Sequence, residues 1–192
     1  PTVPDVGLPP DPAAVAPPPA TGVVSLVGDS TRFLYTGENP IQTGVDTNAL
    51  DTVRLAVVRG SIQRIDDTPL GGVTVTISGH PEFGETLSRL DGGYDMAVNG
   101  GGPLAVAFEK AGFLKAQRMV EVPWQDYVTI PDVTLIPSDT NVTVMDVVSN
   151  TALQAAQGSV VTDESGARRA VLMIPAGVSA SIITHEGATQ QV

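Results

Sequence analysis

Between Val53 and Pro137 the chain keeps returning to one pattern: a short run in which apolar and polar side chains alternate, then a cluster of Gly, Pro, Asp or Asn. A period of two places successive side chains on opposite faces of a strand, so this pattern dictates half-buried strands and excludes a helical bundle. In VTVTIS, Val73, Val75 and Ile77 share one face and Thr74, Thr76 and Ser78 the other. VRLAVVRGSIQRI, Val53 to Ile65, reads as the first strand, with Gly60 marking a bulge or a close backbone approach. ETLSRLDGGYDMAVN reads as a hairpin turning at Asp91 to Gly93, with Tyr94, Met96 and Val98 facing inward. NGGGP supplies another glycine-rich hairpin connection, and LAVAFEK directs Leu104, Val106 and Phe108 to the core. With AQRMVEVP and YVTIPDVTLIP the count reaches about seven strands in about 85 residues, the size of a small antiparallel sandwich.

The flanks follow other rules. Residues 1–22 are read as a semi-rigid tether, because eight of the sixteen prolines fall in the first nineteen positions and favour extended, polyproline-like chain. Residues 23–52 mix Phe33, Leu34, Tyr35 and Ile41 with Gly37, Asn39 and Pro40; too apolar for free linker, they are expected to form an irregular docking arm. Residues 53–137 are the sandwich. Residues 138–192 begin a second, small and incomplete β-unit, in which TVMDVV, GSVVT, AVLMIP and SASIIT are strands, ESGAR is a turn and TALQAAQG forms a turn or two of helix. The apolar residues of its last runs have few predicted partners, and the natural chain is expected to continue.

Composition removes several kinds of chemistry. A net charge of −11 repels phosphate backbones and anionic lipid, so nucleic acid is not an expected partner. No apolar run approaches the length of a membrane span, and membrane insertion is not expected. There is no cysteine, hence neither a disulfide framework nor a thiolate metal site. The chain opens without a basic-then-apolar segment, so no signal peptide is visible.

Candidate sites are correspondingly few. His80 and His185 both sit beside turn residues and are too few for a zinc or acid–base constellation. No G-x-S-x-G elbow occurs, and the NGGG run precedes a strand rather than the helix a phosphate cradle requires. The acidic turns at Asp66-Asp67, Asp91 and Asp163-Glu164 lack the alternating pattern of a calcium loop. Asn141 heads a formal glycosylation sequon. Trp124 and Tyr127 form either a packing anchor or a sugar-stacking platform. No catalytic, metal-binding or cofactor-binding residue is assigned and no cofactor is expected; the candidate interface comprises Phe33, Leu34, Tyr35, Ile41, Trp124 and Tyr127.

VVRGSIQRIDDTPLGGVTVTI, GETLSRLDGGYDMAVN and LAVAFEKAGFLKAQRMVEVPW together resemble the carboxypeptidase-regulatory or transthyretin-like sandwich. More narrowly, HPEFGETLSRLDGGYDMAVNGGG, LAVAFEKAGF and QRMVEVPWQDY are similar to the fibronectin-plug region of teneurins and bacterial RHS-repeat proteins. FLYTGENPIQTGV resembles the lead-in to that region and AVLMIPAGVSA the strand pair that leaves it, so the likeness runs from Phe33 to Ile183. The resemblance implies a non-catalytic plug that closes one end of a shell of tyrosine-aspartate repeats. Its partner would be the rest of the same polypeptide, with an encapsulated C-terminal cargo a further candidate, and its setting secreted or on a bacterial cell surface. It does not extend to adhesins that cross-link a first-strand lysine, since Lys110 and Lys115 lie in and after the fifth strand, nor to ureide hydrolases with paired histidines. The alternative is a stand-alone adhesin or carbohydrate-binding sandwich.

Overall fold

The structure, a computed structural model, describes residues 7–18, 22, 25–147, 150–184 and 187–191. Two compact units emerge, Pro1–Pro137 and Ser138–Val192. The chain is almost entirely β, and the first unit is a two-sheet sandwich.

One sheet runs in the order β1-β4-β3-β6-β7, built from Gln42–Thr43, Glu85–Leu87, Thr74–Ile77, Gly102–Glu109 and Ala116–Val122. The other runs β5-β2-β8, built from Gly93–Asn99, Leu55–Gln63 and Tyr127–Thr129, with β9 (Val133–Thr134) also on β2. β8 and β9 lie one after the other along the same edge of β2, since Val57 to Arg59 face Tyr127 to Thr129 and Ile62 and Gln63 face Val133 and Thr134. The break between them contains Pro131, which has no N–H to give to a ladder. Both pair with β2 in parallel, whereas the sequence reading made the sandwich antiparallel throughout. These first and last strands are joined through the whole domain rather than by a turn, so no local signal fixes their direction.

The two expected hairpins are corrected as well. β4 and β5 flank the Asp91–Gly93 turn, yet β4 pairs with β1 and β3 while β5 pairs with β2. The turn itself is tight, with the Gly92 N–H donating to the Arg89 carbonyl at 2.9 Å. It carries the chain from one sheet to the other, and the glycine run at 100–102 carries it back, because β6 pairs with β3 and β7. Turn chemistry specifies a reversal but not whether the two arms become neighbours.

The core lies between the sheets. Val73, Val75 and Ile77 are buried as their alternation requires, together with Tyr94, Met96, Val98, Val106 and Phe108. Burying such side chains contributes about 1.5–3 kcal/mol each before entropy is charged. From β2 the residues Ala56, Val58 and Ile62 point inward, and Gly60 occupies the position where another side chain would stand. No bulge interrupts β2 there, as its register with β5 is continuous from Leu55 to Ser61. The glycine is instead required by Tyr94, which lies directly opposite and packs edge-on to Phe108 at 5.5 Å. A Cβ on Gly60 would meet the Tyr94 hydroxyl at 2.8 Å and the Ile130 carbonyl oxygen at 2.9 Å.

In the second unit, β10 (Gln154–Gln157) pairs with β13 (Val171–Ile174), β11 (Val161–Asp163) with β12 (Gly166–Arg168), and β14 (Ser181–Ile183) with β15 (Thr189–Gln191). The helix expected over TALQAAQG is therefore a strand: Gln154 to Gln157 lie opposite the apolar VLMI run, and that cross-strand partner overrides a weak helical preference. The described part of TVMDVV joins no ladder. None of the described residues of this unit is fully buried.

Gly60→Ala is expected to lower the unfolding free energy by about 1–3 kcal/mol, the usual cost of overpacking, measured by urea denaturation. The Tyr94 hydroxyl is buried with no hydrogen-bond partner, so Tyr94→Phe should leave stability at pH 7 unchanged or raise it by up to about 1 kcal/mol. Burial, then the adjacent Asp95 carboxylate, raises the Tyr94 phenol above its ordinary 10.0. The unfolded chain therefore releases this proton first, and the Tyr94 contribution should fall away as pH rises above that ordinary value. The difference between the parent's and Tyr94→Phe stability curves from pH 9 upward measures it.

Candidate functional site

The outer face of the β5-β2-β8 sheet carries most of the residues singled out in the sequence, and it is split into an apolar half and a charged half. On β2 the outward positions are Leu55, Val57, Arg59 and Ser61. On β5, Ala97 and Asp95 stand beside Val57 and Arg59.

The apolar half is covered by the arm. α2 (Val27–Ser30) and a 3-10 turn over Arg32–Leu34 run into β1. The Thr31 hydroxyl donates to the Val27 carbonyl at 2.6 Å and steadies the end of α2. Leu34 and Ile41 are buried against Leu55, Val57 and Ala97, with Phe33, Tyr35, Val27 and Leu50 half-buried around them. Two amide side chains hold this cover down. Gln42, fully buried, donates through Nε2 to the Phe83 carbonyl at 2.6 Å and the Ala97 carbonyl at 2.9 Å, while its Oε1 accepts from the Ala97 N–H at 2.7 Å. Gln125, in a left-handed conformation at φ 55°, accepts from the Val27 N–H at 2.8 Å and donates to the Val53 and Thr52 carbonyls. Leu34 and Ile41 thus pack on the chain's own sandwich and are not free for another surface, because Leu55 and Val57 would otherwise face water.

The charged half centres on Asp95, which is almost fully buried. Arg59 Nη2 reaches its Oδ1 at 2.8 Å and Arg89 Nη1 its Oδ2 at 2.8 Å. A carboxylate out of water holds its charge only with such partners. The Nε atoms of Arg59 and Arg89 are buried with no hydrogen bond, and a cleft of about 400 Å³ opens beside them.

Tyr127 is 43% exposed and Trp124 54% exposed. Each ring already has a guanidinium over it, Arg59 at 4.7 Å from the Tyr127 centroid and Arg54 at 6.0 Å from that of Trp124. Arg54 also donates to the Gly100 carbonyl, and Trp124 passes so close to Gly101 that a Cβ there would lie 2.5 Å from its Nε1. The glycine run, excluded as a phosphate cradle, makes room for this tryptophan.

The remaining candidates have local roles. His80 stacks on Phe83 at 5.2 Å, and its Nδ1 meets Glu82 Oε1 at 2.8 Å, which holds the Glu82 carboxyl below its ordinary value. His185 lies outside the described residues. Asp66 accepts from the Thr68 hydroxyl and Asp91 from the Gly93 N–H. Asp163 pairs with Arg168. No group of three or more histidine and carboxylate residues gathers among the described residues, and no helix there is long and apolar enough to cross a membrane. Gln42 and Gln125 escaped the sequence reading, and no sequence signal marks a glutamine whose role is set by a distant backbone.

Fold and site define an all-β, transthyretin-like sandwich with a docked lead-in. Residues 50–135 match the family model described as Teneurin TTR-like domain. The chain is 34% identical over 102 residues to Teneurin-4 of Homo sapiens, covering 53% of this chain and 3% of that one. It is 36% identical over 110 residues to Teneurin-1 of Homo sapiens, covering 57% and 4%. To Teneurin-m of Drosophila melanogaster it is 34% identical over 122 residues, covering 64% and 4%. The chain thus spans only 3–4% of the length of these curated relatives. Among solved structures, 3-chlorocatechol 1,2-dioxygenase from Rhodococcus opacus 1CP aligns with a TM-score of 0.39 at 9% identity, over 50% of this chain and 65% of that one, a likeness too slight to bear on function.

Gln42→Ala would strand the Ala97 N–H and the Phe83 and Ala97 carbonyls. A loss of about 2–4 kcal/mol is expected by urea denaturation, with amide exchange rising first in residues 27–52.

Proposed function

We propose that the sandwich is a non-catalytic structural module, the plug that closes one end of a shell of tyrosine-aspartate repeats in the same polypeptide, outside the cell. The observation that carries this reading is the match of residues 50–135 to the teneurin transthyretin-like domain. The second unit supports it physically. Val171, Leu172 and Met173 are consecutive and all about half-exposed or more, as are Ile182 and Ile183. Adjacent residues of a strand point to opposite faces, so these strands are apolar on both sides, as strands covered on both sides are. Two-stranded ladders are marginal in water on their own, and further polypeptide in cis is the cover that fits them.

A sugar-stacking platform is less well supported, because the aromatic faces that a sugar would use at Trp124 and Tyr127 already carry Arg54 and Arg59. Nothing in the site calls for turnover.

The test is cryo-electron microscopy of the complete polypeptide that contains this chain, together with its coding sequence. The expected result is repeats at a period of about 20 residues, forming a shell with the sandwich seated in one opening and β13 and β14 covered on both faces. A polypeptide without such repeats, or a sandwich hanging free of the shell, would overturn the proposal.

A further inference from the structure

Five asparagines occur in the chain, and only Asn141 is followed two residues later by a serine or threonine, in Asn141-Val142-Thr143. Asn-x-Thr is the acceptor pattern of N-glycosylation, in which the hydroxyl two residues on is read together with the amide. Asp139 also places a carboxylate two residues ahead, the further feature that bacterial transferases of this kind read. The pattern matters only where an enzyme can reach it, and the fold decides that.

Asn141 lies in a bow of chain pinned at its two ends. At one end the Asp139 carboxylate accepts from the Ser159 N–H at 2.6 Å and from the Ser159 hydroxyl at 2.8 Å. At the other, the Gln154 side chain bonds both the N–H and the carbonyl of Asp146. Between the pins, residues 140–145 join no strand ladder, and among the described residues the one fixed partner of their backbone is the Asp139 carboxylate. Asn141 and Thr143 are both exposed. The Asn141 amide nitrogen donates to Ser159 Oγ at 3.1 Å, a bond between two exposed side chains that water readily replaces. Asn99, by contrast, is held by the Asp51 N–H and the Ala49 carbonyl, and Asn150 by the Pro175 carbonyl. The bow also carries the two most exposed large apolar side chains among the described residues, Val142 at 85% and Val144 at 92%. A sugar chain on the adjacent amide is a bulky, solubilising cover for both.

We propose that Asn141 is an N-glycosylation site, its donor a polyprenyl diphosphate-linked oligosaccharide, and that it marks a part of the second unit that stays in solvent. The inference rests on the extracellular setting proposed above, because the transferase works on exported chains. In the transfer a bond forms between Asn141 Nδ2 and C1 of the first sugar as the bond between C1 and the diphosphate oxygen breaks. The diphosphate leaves with that electron pair, one Nδ2 proton passes to a base of the transferase, and nothing is oxidised or reduced. The free backbone of the bow lets the enzyme grip the chain while the Thr143 hydroxyl positions the acceptor. A glycan there is not buried, so the polypeptide in cis that covers β13 and β14 has to leave the bow open.

The experiment is secretion of the full chain from insect cells behind a signal peptide, followed by intact-mass and glycopeptide mass spectrometry. Most molecules are expected to carry one glycan, at Asn141. The mass shift should vanish in Asn141→Gln and in Thr143→Ala and return in Thr143→Ser. Because both side chains are exposed, the variants should melt at the temperature of the parent stripped of its glycan. Peptide N-glycosidase should release the glycan from the folded chain as completely as from chain denatured first. A secreted chain unmodified at Asn141, a shift that persists in Asn141→Gln, or release that needs prior denaturation would overturn the proposal. A glycan at Asn141 in a complete polypeptide without a repeat shell would leave this inference standing and remove the plug, so the two readings fail separately.

Discussion

The first unit depends on a single amide. A sandwich of two sheets has an open flank wherever its edge strands do not meet, and each edge displays unpaired N–H and C=O groups. Here β5 is such an edge, and its neighbour across the flank is β1, the end strand of the other sheet. Gln42 joins the two. Its backbone takes its place opposite Thr86, and its side chain presents one acceptor and one donor to the N–H and C=O of Ala97, as a neighbouring strand would. The same nitrogen reaches Phe83, and the Thr86 hydroxyl donates to the Ile41 carbonyl. A side chain with a donor and an acceptor in one plane is needed for this; an aliphatic residue of equal length would close the volume and leave the edge unpaired.

From that joint follows the division of the outer face. The arm can lie over Leu55 and Val57 only because β1 is anchored beside them, and where the arm ends the exposed β2 positions turn polar, at Arg59 and Ser61. The charged half needs its own solution, and Asp95 provides it by holding two arginines at once. Arg59 in turn lies over Tyr127 on β8. One side chain therefore spans the sheet from β5 to β8, and the parallel pairing that no turn specifies gains a side-chain contact across it.

What was legible in the sequence was whatever periodicity encodes. Val73, Val75 and Ile77 announce their face by alternation, and so do Tyr94, Met96 and Val98, because a strand with one buried side must alternate. Gly60 announced a close approach but not its cause, since the Tyr94 that fills the space is 34 positions away in the chain. The turns were legible as turns. Their destinations were not: Asp91–Gly93 and the glycine run at 100–102 have the composition of hairpin connections and act as crossings between sheets. Local residues set a reversal, while partners are chosen by which edges remain open when the core closes. Leu34 and Ile41 could be recognised as docking residues for the same reason that their target could not, being apolar in a broken segment whose neighbour is a face rather than a motif.

The same reasoning explains why the two units differ. In the first, each apolar alternation meets another across about 10 Å of sandwich, the usual spacing of stacked sheets, and the interior dries. In the second, Val171 to Ile174 and Ser181 to Ile183 are as rich in strand-forming residues as any run of the first, yet among the described residues each is joined to one partner strand. Hydrogen bonding within a ladder satisfies the backbone but removes little apolar area from water, and the area term is what offsets the entropy of ordering. A segment with the composition of a core strand and the burial of a surface one is therefore matched to a surface beyond its own ladder, and its role lies in what it covers or is covered by.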